Sequence, residues 1–223
     1  MCRGLKSGEP CVLLGQDPGT WDRHAPLPKP KAFESDLDRL LRARTSLDAD
    51  DLAGARSTLA ELDDAPLREW YVEHAQMAGI NRHRALGSPS ASVPRLPLDP
   101  KRGFADLAKA ILERDGCHCR YCGSRVAPRA FFKGIERDAA TEGFRIGRTN
   151  ATRPGAYLVY CATIDHVHPH KLGGRTDMGN LVTACWACNF GKWTFELGQI
   201  GLDPPDPPPV TVDAVWVAMA LGR

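Results

Sequence analysis

The 223-residue sequence has no long hydrophobic run and only 7% aromatic residues. Its longest apolar stretches, Tyr157 to Ala162 and Ala214 to Leu221, are far shorter than the roughly 18 residues that cross a bilayer. Near the start of the chain only Val12 to Leu14 form an apolar cluster, which is too short for a signal-peptide core. The sequence therefore predicts a soluble cytoplasmic protein with no membrane partner. Its 43% hydrophobic content is enough to bury a core, which excludes wholesale disorder.

The net charge of +2 is small, but it is distributed unevenly along the chain. Residues 1–100 carry a net charge of −2, residues 101–193 carry +7, and residues 194–223 carry −3. A basic middle segment indicates a polyanionic partner, and chance clustering of solvated charges explains it equally well. The same segment holds six of the eight cysteines. In a reducing compartment these cysteines are not expected to form disulfides, so their spacing must have another cause.

Proline-rich segments divide the chain. The predicted units are an extended, poorly ordered arm (1–33), a small α-helical region (34–86), a linker (87–100), a compact domain (101–200) and a proline-rich C-terminal tail (201–223). The linker predicts that the compact domain folds without the helices before it. Within the helical region, apolar residues recur at helical spacing, and Asp48 or Asp50 is the candidate N-cap of the second helix.

Two local patterns lie inside the compact domain. A helical stripe from Phe104 to Leu112 is followed by Gly116, a residue that commonly ends a helix. Farther along, the apolar run from Tyr157 to Ile164 favours a strand in which Cys161 is packed. The overall fold class is therefore α+β.

Two CxxC pairs stand 62 residues apart, Cys119 with Cys122 and Cys185 with Cys188. Each pair can direct two thiolates to one ion, and two pairs complete a tetrahedral structural Zn²⁺ site. Two redox-active dithiols are the alternative, but neither pair has the strand–helix context of a thioredoxin-like motif. The sequence thus predicts a four-cysteine zinc centre, with the nearby Cys117 either packed in the interior or present as a spare thiol.

A denser motif runs into the second pair, in the stretch TIDHVHPHKLGGRTDMGNLVTACWACNFGK. Its elements are Asp165-His166, Pro169, Gly173-Gly174, Asn180-Leu181-Val182, Cys185, Cys188-Asn189 and Lys192. Together with the upstream run RDGCHCRYCG from Arg114 to Gly123, this pattern resembles the zinc-stapled HNH endonucleases of bacteria, phages and restriction systems. The resemblance extends from Phe104 to Trp193.

The resemblance implies a ββα-metal (His-Me finger) fold. The first strand is expected to end near Asp165-His166, and a loop from His170 to Gly179 leads to a second strand over Leu181 to Ala184. A helix then begins near the second cysteine pair and carries Asn189.

The resemblance also implies residue roles. His166 is the general base that activates water, Asn180 braces the loop through backbone hydrogen bonds, and Asp165 and Asn189 hold a catalytic Mg²⁺ or Mn²⁺. These roles suit the chemistry, because an imidazole titrates near neutral pH and a hard cation prefers oxygen ligands. In this scheme the zinc ion only holds the scaffold.

A basic insertion between the two cysteine pairs, residues 123–156, contains Phe131, Phe132 and Phe144 among its arginines and lysines. It is either an element that contacts DNA or a surface segment whose phenylalanines pack on the domain. The candidate phosphate-binding residues are Lys171, Arg175 and Lys192 near the motif and Arg125, Arg129 and Lys133 in the insertion.

These observations predict a metal-dependent endonuclease that cuts DNA, in a bacterial or phage-infected cell, with RNA as a less favoured substrate. Two alternatives stay open: a non-catalytic zinc-stapled module that binds nucleic acid, and a nuclease toxin acting on RNA or DNA. A dimer is compatible with the sequence, which contains no specific signal for the oligomeric state. A shared fold alone does not decide between these roles.

Overall fold

The computed structural model of the protein describes residues 25–26, 29, 33–62, 64–76 and 103–222. The predicted linker and most of the predicted arm lie outside these residues. The described elements in chain order are α1 (Glu34–Asp48), α2 (Leu52–Ala60), α3 (Asp64–Trp70), a π-helical turn (Tyr71–Gln76), α4 (Phe104–Arg114), α5 (Arg129–Ala139), a 3-10 turn (Asn150–Thr152), α6 (Gly155–Tyr160), β1 (Ala162–His166), a 3-10 turn (His170–Leu172), β2 (Leu181–Cys185), α7 (Trp186–Lys192), a 3-10 turn (Leu197–Ile200) and α8 (Ala214–Leu221). Helices surround a two-stranded sheet, which confirms the α+β class. Among the described helices, none has the length and hydrophobicity required to span a bilayer.

The sheet places the two ends of the sequence motif side by side. Strands β1 and β2 are antiparallel, and their register runs from Ala162 opposite Cys185 to His166 opposite Leu181. Helix α7 starts directly after β2 and packs on both strands. The predicted strand ends and the helix that carries Asn189 are therefore confirmed.

The apolar run before β1 is a helix, not a strand. Residues Gly155–Tyr160 form α6, which is buried throughout, and Cys161 is the buried residue that connects α6 to β1. A helix that is buried on all sides has no polar face, so its sequence reads as a continuous apolar run that periodicity cannot distinguish from a strand. The predicted strand is therefore wrong over Tyr157 to Tyr160, whereas Cys161 is extended and forms a β-bridge with Ala127.

The predicted helical region contains α1, α2 and α3, but the N-cap of α2 differs from the prediction. Asp51, rather than Asp48 or Asp50, accepts a hydrogen bond from the backbone N–H of Gly54 at 2.9 Å. Asp50 instead adopts a left-handed conformation with φ of 58°. The three aspartates are close in sequence, and only the local backbone geometry selects the one that caps.

These N-terminal helices share one hydrophobic core with the rest of the described chain. Ion pairs also join them to the domain: Arg44 lies 2.7 Å from Asp138, and Arg125 lies 2.5 Å from Asp38. Asp64 at the start of α3 accepts hydrogen bonds from the backbone N–H groups of Gly155 and Ala156 at the start of α6. Removing the helices would expose core residues of α5 and α6 that pack against them. Independent folding of the compact domain stays a prediction.

The aromatic residues of the basic insertion belong to this core. Phe131, Phe132 and Phe144 are buried, and the rings of Phe131 and Phe132 meet edge to face at 5.4 Å. Helix α5, which carries the first two, packs against α1, α2 and α8. Of the two alternatives for the insertion, the structure therefore supports packing of the phenylalanines on the domain, since buried rings cannot stack on nucleotide bases.

The C-terminal tail ends in a docked helix. Trp216 in α8 is buried, and its indole N–H donates to the carbonyl of Cys117 at 3.1 Å. Asp213 caps the helix by accepting from the backbone N–H of Trp216. The tail thus covers the turn that precedes the first cysteine pair.

Candidate active site and metal centre

The two CxxC pairs converge on one point. The sulfur atoms of Cys119, Cys122, Cys185 and Cys188 all lie within 4.8 Å of one another, and those of Cys122 and Cys185 are 4.0 Å apart. A regular tetrahedron with Zn–S distances of about 2.3 Å separates its sulfurs by about 3.8 Å. Four cysteines at these distances can therefore hold zinc.

Cys185 connects the metal centre to the sheet and to α7. It is the last residue of β2 and the N-cap of α7, and its Sγ accepts a hydrogen bond from the backbone N–H of Cys188 at 3.2 Å. The same sulfur is thus a potential metal ligand and a helix cap. Because α7 carries Asn189 and Lys192, its placement depends on this cysteine.

Tyr121 links the first cysteine pair to the predicted catalytic strand. It lies between Cys119 and Cys122, and its hydroxyl donates to Oδ2 of Asp165 at 2.7 Å. Burial and then the charge of Asp165 raise the pKa of Tyr121 well above its usual value, so the phenol keeps its proton and acts as a donor. A residue of the metal centre therefore positions the carboxylate.

Asp165 is buried at the end of β1 and has a second partner. The Nζ of Lys192, which is fully buried, lies 3.1 Å from Oδ2 of Asp165 and donates to the backbone carbonyl of His166 at 2.7 Å. Burial raises the pKa of Asp165, while Lys192 and Tyr121 oppose this shift. Lys192 thus ties the last turn of α7 to the end of β1.

His166 follows Asp165, and its side chain leaves the strand on the opposite face. Its ring is half-buried, with Nε2 2.9 Å from Oγ1 of Thr176 and the ring of His170 at a centroid distance of 5.3 Å. Burial lowers the pKa of His166 to about 4, and the nearby charges of His170 and Lys192 add to this effect. The imidazole is therefore neutral at pH 7, as a general base must be.

Asn189 lies on α7 against the face of β1 that carries Thr163 and Asp165. Its Nδ2 donates to Oγ1 of Thr163 at 3.1 Å, which fixes the amide plane. With the nitrogen held in this way, the amide oxygen points away from Thr163. Asp165 and Asn189 together offer a carboxylate and an amide oxygen, the donor types that suit a hard divalent cation.

Asn180 spans the loop between the two strands. Its Oδ1 accepts from the backbone N–H of His168 at 2.8 Å, and its Nδ2 donates to the carbonyls of His168 and Arg175 at 3.0 and 2.8 Å. The loop approaches itself so closely that a Cβ at Gly174 would collide with the carbonyl oxygen of His168. The hydrogen bonds of Asn180 therefore stabilise the loop that places Thr176 against His166, and the close approach within this loop requires glycine at position 174.

Asn180→Ala should lower the free energy of unfolding by about 1–3 kcal/mol, because it leaves backbone groups of His168 and Arg175 without their partner. With His166 in the role predicted from the sequence, cleavage activity should fall with it, since the loop orients His166 through Thr176. Asn180→Asp, which keeps one acceptor and loses both donors, should have an intermediate effect. Denaturant unfolding and a cleavage assay measure the two changes. Wild-type stability of Asn180→Ala would show that the loop does not depend on these bonds.

The candidate phosphate-binding residues separate into three groups. Lys171 and Arg175 lie on the loop beside His166, and Arg175 is exposed and pairs with Asp177 at 2.9 Å. The second group lies on or near α5, far from this loop in sequence. Arg125 pairs with Asp38 and Lys133 pairs with Glu136, while Arg129 is exposed.

Lys192 forms the third group, and its prediction as a phosphate contact is wrong. Its side chain has no exposed surface, and its amino group serves Asp165 and His166. A buried ammonium that holds two groups of the candidate site cannot also reach a phosphate at the surface. Lysine side chains are rarely buried unless they are paired, so the default prediction from a sequence is that a lysine is exposed.

Three residues of the site were missed from the sequence: Tyr121, Thr163 and Thr176. Tyr121 lies inside a CxxC pair, a pattern that identifies only its cysteines as functional, and Thr176 lies in a glycine-rich loop with no motif of its own. The alternation of β1 does place Thr163 and Asp165 on one face, so that single contact could have been anticipated. The other two depend on contacts between segments far apart in sequence.

A family model described as HNH endonuclease matches residues 148–192. No curated protein and no solved structure matches the chain. The matched segment includes α6, both strands, the loop and α7, and with them Asp165, His166, Asn180 and Asn189. It begins after the first cysteine pair, so it does not include the whole metal centre. Residues 148–192, about a fifth of the chain, are therefore similar to the HNH endonuclease family.

Proposed function

We propose that the protein is a metal-dependent endonuclease that hydrolyses phosphodiester bonds in DNA. The observation that carries this proposal is the juxtaposition at the end of β1. The neutral, half-buried imidazole of His166 directly follows the buried carboxylate of Asp165 there, and Asn189 is hydrogen-bonded to Thr163 of the same strand, within a segment matched by the HNH family model. The cytoplasm of a bacterial or phage-infected cell is the proposed location.

His166 is the proposed general base. Hydrolysis requires a group that takes a proton from the attacking water, and a neutral imidazole fulfils this role. We assign the ring proton to Nε2, directed at Oγ1 of Thr176, so that Nδ1 carries the lone pair that accepts the proton from water. Thr176 is then a positioning residue that selects the tautomer and holds the ring.

Asp165 and Asn189 are the proposed ligands of a catalytic Mg²⁺ or Mn²⁺. The side-chain donors described for Asp165, Tyr121 and Lys192, both lie at Oδ2, and the backbone N–H of His166 also donates to this carboxylate. A carboxylate has lone pairs beyond those that three donors occupy, and these would hold the cation. When bound, such a cation offsets negative charge on the phosphate and the leaving oxygen. The protein side chains orient these oxygens in advance: Tyr121 and Lys192 hold the carboxylate, and Thr163 holds the amide.

Zinc at the four cysteines is the proposed structural cofactor. Its place in the mechanism is indirect, because the cysteines position Tyr121 and α7, and these in turn place Asp165 and Asn189. Lys171, Arg175 and Arg129 are the proposed contacts to the nucleic-acid backbone, since they are at least partly exposed and basic.

The experiment that tests the proposal is incubation of supercoiled plasmid with the purified full-length protein and Mg²⁺ or Mn²⁺. Conversion to nicked or linear DNA is the expected result, and the same reaction with EDTA is the control. A folded, zinc-loaded protein that leaves plasmid and a matched RNA intact with either cation would contradict the endonuclease.

Asn189→Ala should raise the Mg²⁺ concentration that gives half-maximal cleavage by at least about tenfold, because it removes one of two protein ligands. Asn189→Asp, which keeps an oxygen ligand and adds negative charge, should leave that concentration unchanged or lower it. Cleavage rates measured across a Mg²⁺ titration give both values. If the titration curves of Asn189→Ala and wild type coincide, Asn189 is not a ligand.

The pH dependence of kcat/KM should show the lowered pKa of His166. With a pKa of about 4, the base stays neutral at pH 5.5, whereas a histidine with an ordinary pKa near 6.5 would be about nine-tenths protonated there. Protonation inactivates both His166 and Asp165, so activity is lost as the pH falls. We expect constant kcat/KM from pH 7 to 5.5 and a decline below about pH 5. Half-maximal activity near pH 6.5 would contradict the assignment.

One observation favours a second candidate, a non-catalytic module that binds nucleic acid. The ammonium of Lys192 already compensates the charge of Asp165, which weakens the attraction of this carboxylate for a second cation. Binding of DNA without metal and without cleavage in the plasmid experiment would support this candidate.

A further inference from the structure

The residue that ends α7 has a backbone conformation that tryptophan rarely adopts. Trp193 has φ of 57° and ψ of −139°, which lies outside the left-handed helical region and is almost restricted to glycine. The chain has glycine at three other helix ends with positive φ: Gly173, Gly201 and Gly222. Lys192 and Phe195 on either side of the turn are buried, which fixes its position. Glycine would make the same turn without strain, so the strain at this position indicates a use for the indole.

Packing inside the protein accounts for only part of this side chain. Trp193 is half-buried, and its ring meets that of Phe190 edge to face at 6.1 Å, its only ring contact among the described residues. An edge-to-face pair generally contributes no more than strain of this kind costs. The indole N–H groups of Trp186 and Trp216 donate within the protein, whereas that of Trp193 has no acceptor in the described part of the chain.

Trp193 is the last ring of an aromatic row along α7. The guanidinium of Arg153 lies over the ring of Trp186, 5.1 Å from its centroid. Trp186 in turn stacks on Phe190 at 5.5 Å with the ring planes 22° apart, and Phe190 meets Trp193. The rings of Trp186 and Phe190 therefore have partners from the protein on more than one side. Another flat ring can extend the row at Trp193.

The end of this row adjoins the candidate site. The backbone N–H of Trp193 donates to the carbonyl of Asn189 at 2.9 Å, so the indole begins about one helical turn beyond the proposed cation ligand. The preceding residue, Lys192, donates to the backbone carbonyl of His166. A nucleotide whose phosphate lies at the cation is close enough for its base, or that of its neighbour, to reach the indole.

We propose that Trp193 stacks on an unpaired base of the substrate beside the cleaved phosphate. Paired bases in a duplex are covered by their neighbours, so this contact requires a single-stranded or flipped-out nucleotide. Every base has a π face, and stacking on an aromatic side chain is therefore tolerant of sequence. Trp193 thus selects unpaired nucleotides without selecting a base. This inference rests on the proposed nuclease function and adds an unpaired nucleotide as the preferred substrate.

The test is binding of a fluorescein-labelled single-stranded oligodeoxynucleotide to the full-length protein without Mg²⁺ or Mn²⁺, followed by fluorescence anisotropy. Trp193→Leu removes the π surface and keeps an apolar side chain, whereas Trp193→Phe keeps a ring. Phe104→Leu, at an exposed aromatic residue of α4, is the matched control. We expect wild-type affinity for Phe104→Leu, a loss of about 5- to 100-fold for Trp193→Leu and a smaller loss for Trp193→Phe.

The duplex of the same sequence distinguishes stacking from a general loss of affinity. Trp193→Leu should leave the affinity for the duplex unchanged. Equal losses for the single strand and the duplex would overturn the proposal, as would an affinity of Trp193→Leu for the single strand within about twofold of wild type.

Trp193→Gly separates the contact with the base from packing. Glycine adopts the observed backbone angles without strain, so this variant should melt at a higher temperature than Trp193→Ala. Both variants should lose affinity for the single strand to the same extent, because both lack the ring. If Trp193→Gly melts below Trp193→Ala, the backbone is not strained and the proposal loses its basis.

A measurement on the wild-type protein covers the case in which the variants do not fold. A single strand that contains 5-iodouracil should photocrosslink to the peptide that contains Trp193, identified by mass spectrometry, and the same strand in a duplex should not. Crosslinks at other peptides alone would overturn the proposal. A wild-type protein that binds neither single strand nor duplex would refute the proposed function itself, whereas unchanged binding by Trp193→Leu would refute only the stacking contact.

Discussion

His166→Ala is expected to lower the rate of DNA cleavage by about 10²- to 10⁴-fold, the usual contribution of general acid–base catalysis. The alanine removes the only group proposed to take the proton from water. It leaves the backbone carbonyl of residue 166, to which Lys192 donates, and it leaves Asp165 and the cysteines in place. The zinc content and the melting temperature should therefore stay close to those of the wild type.

His168→Ala is the matched control for this substitution. His168 lies on the same loop, its exposed ring pairs with Glu196 at 3.1 Å, and its backbone rather than its side chain contacts Asn180. Its loss should change the cleavage rate by less than a few-fold. The test is a single-turnover rate for each variant at saturating Mg²⁺. Equal losses in the two variants, or loss of zinc from His166→Ala, would remove His166 from its proposed role.

The parts of the site that could be predicted from the sequence are those set by short-range spacing. A CxxC turn directs two thiolates to one side, and two such turns form one cluster in the structure. The strand ends at His166 and Leu181 could likewise be placed, because the motif elements on both sides of the loop are compact in sequence. The order of residues was sufficient for these features.

The parts that could not be predicted depend on contacts between distant segments. The fully buried position of Lys192 results from the way α7 packs on β1, and Tyr121 reaches Asp165 across 44 residues of sequence. The stripe on each N-terminal helix showed that one face is buried, without showing that Arg44 and Asp38 pair with residues of the basic insertion. An amphipathic pattern shows that one face of a helix is buried, but it does not identify the surface that covers this face.

The sequence also predicted that the N-terminal helices are separable from the compact domain, because their patterns do not show which surface they contact. A proline-rich linker in the sequence is a sign of a domain boundary, but a boundary requires that few contacts cross it. Here one hydrophobic core includes Leu40 of α1 and Ile135 of α5. Helices from outside the family match therefore pack on the matched segment, and we propose that the two parts fold as one unit.

Cys185→Ser is expected to cause the largest loss of stability among single substitutions in this protein. Serine is a good N-cap, so the variant keeps the hydrogen-bond acceptor for the backbone N–H of Cys188 and removes only the thiolate. Structural zinc binding is coupled to folding and is worth about 10–16 kcal/mol in small zinc-binding peptides. Losing even a third of that value would lower the melting temperature of a chain of this size by about 10 °C.

Cys161→Ser separates the metal from the general cost of burying a hydroxyl group. Cys161 is as buried as Cys185 but lies outside the four-sulfur cluster. Metal analysis and thermal unfolding of both variants should show one zinc per chain in Cys161→Ser and less than one in Cys185→Ser, with the lower melting temperature in the latter. Because α7 carries Asn189 and Lys192, cleavage should be lost together with zinc in Cys185→Ser alone. Equal melting temperatures and equal zinc contents in the two variants would mean that the four sulfurs, although close together, do not form the structural metal centre.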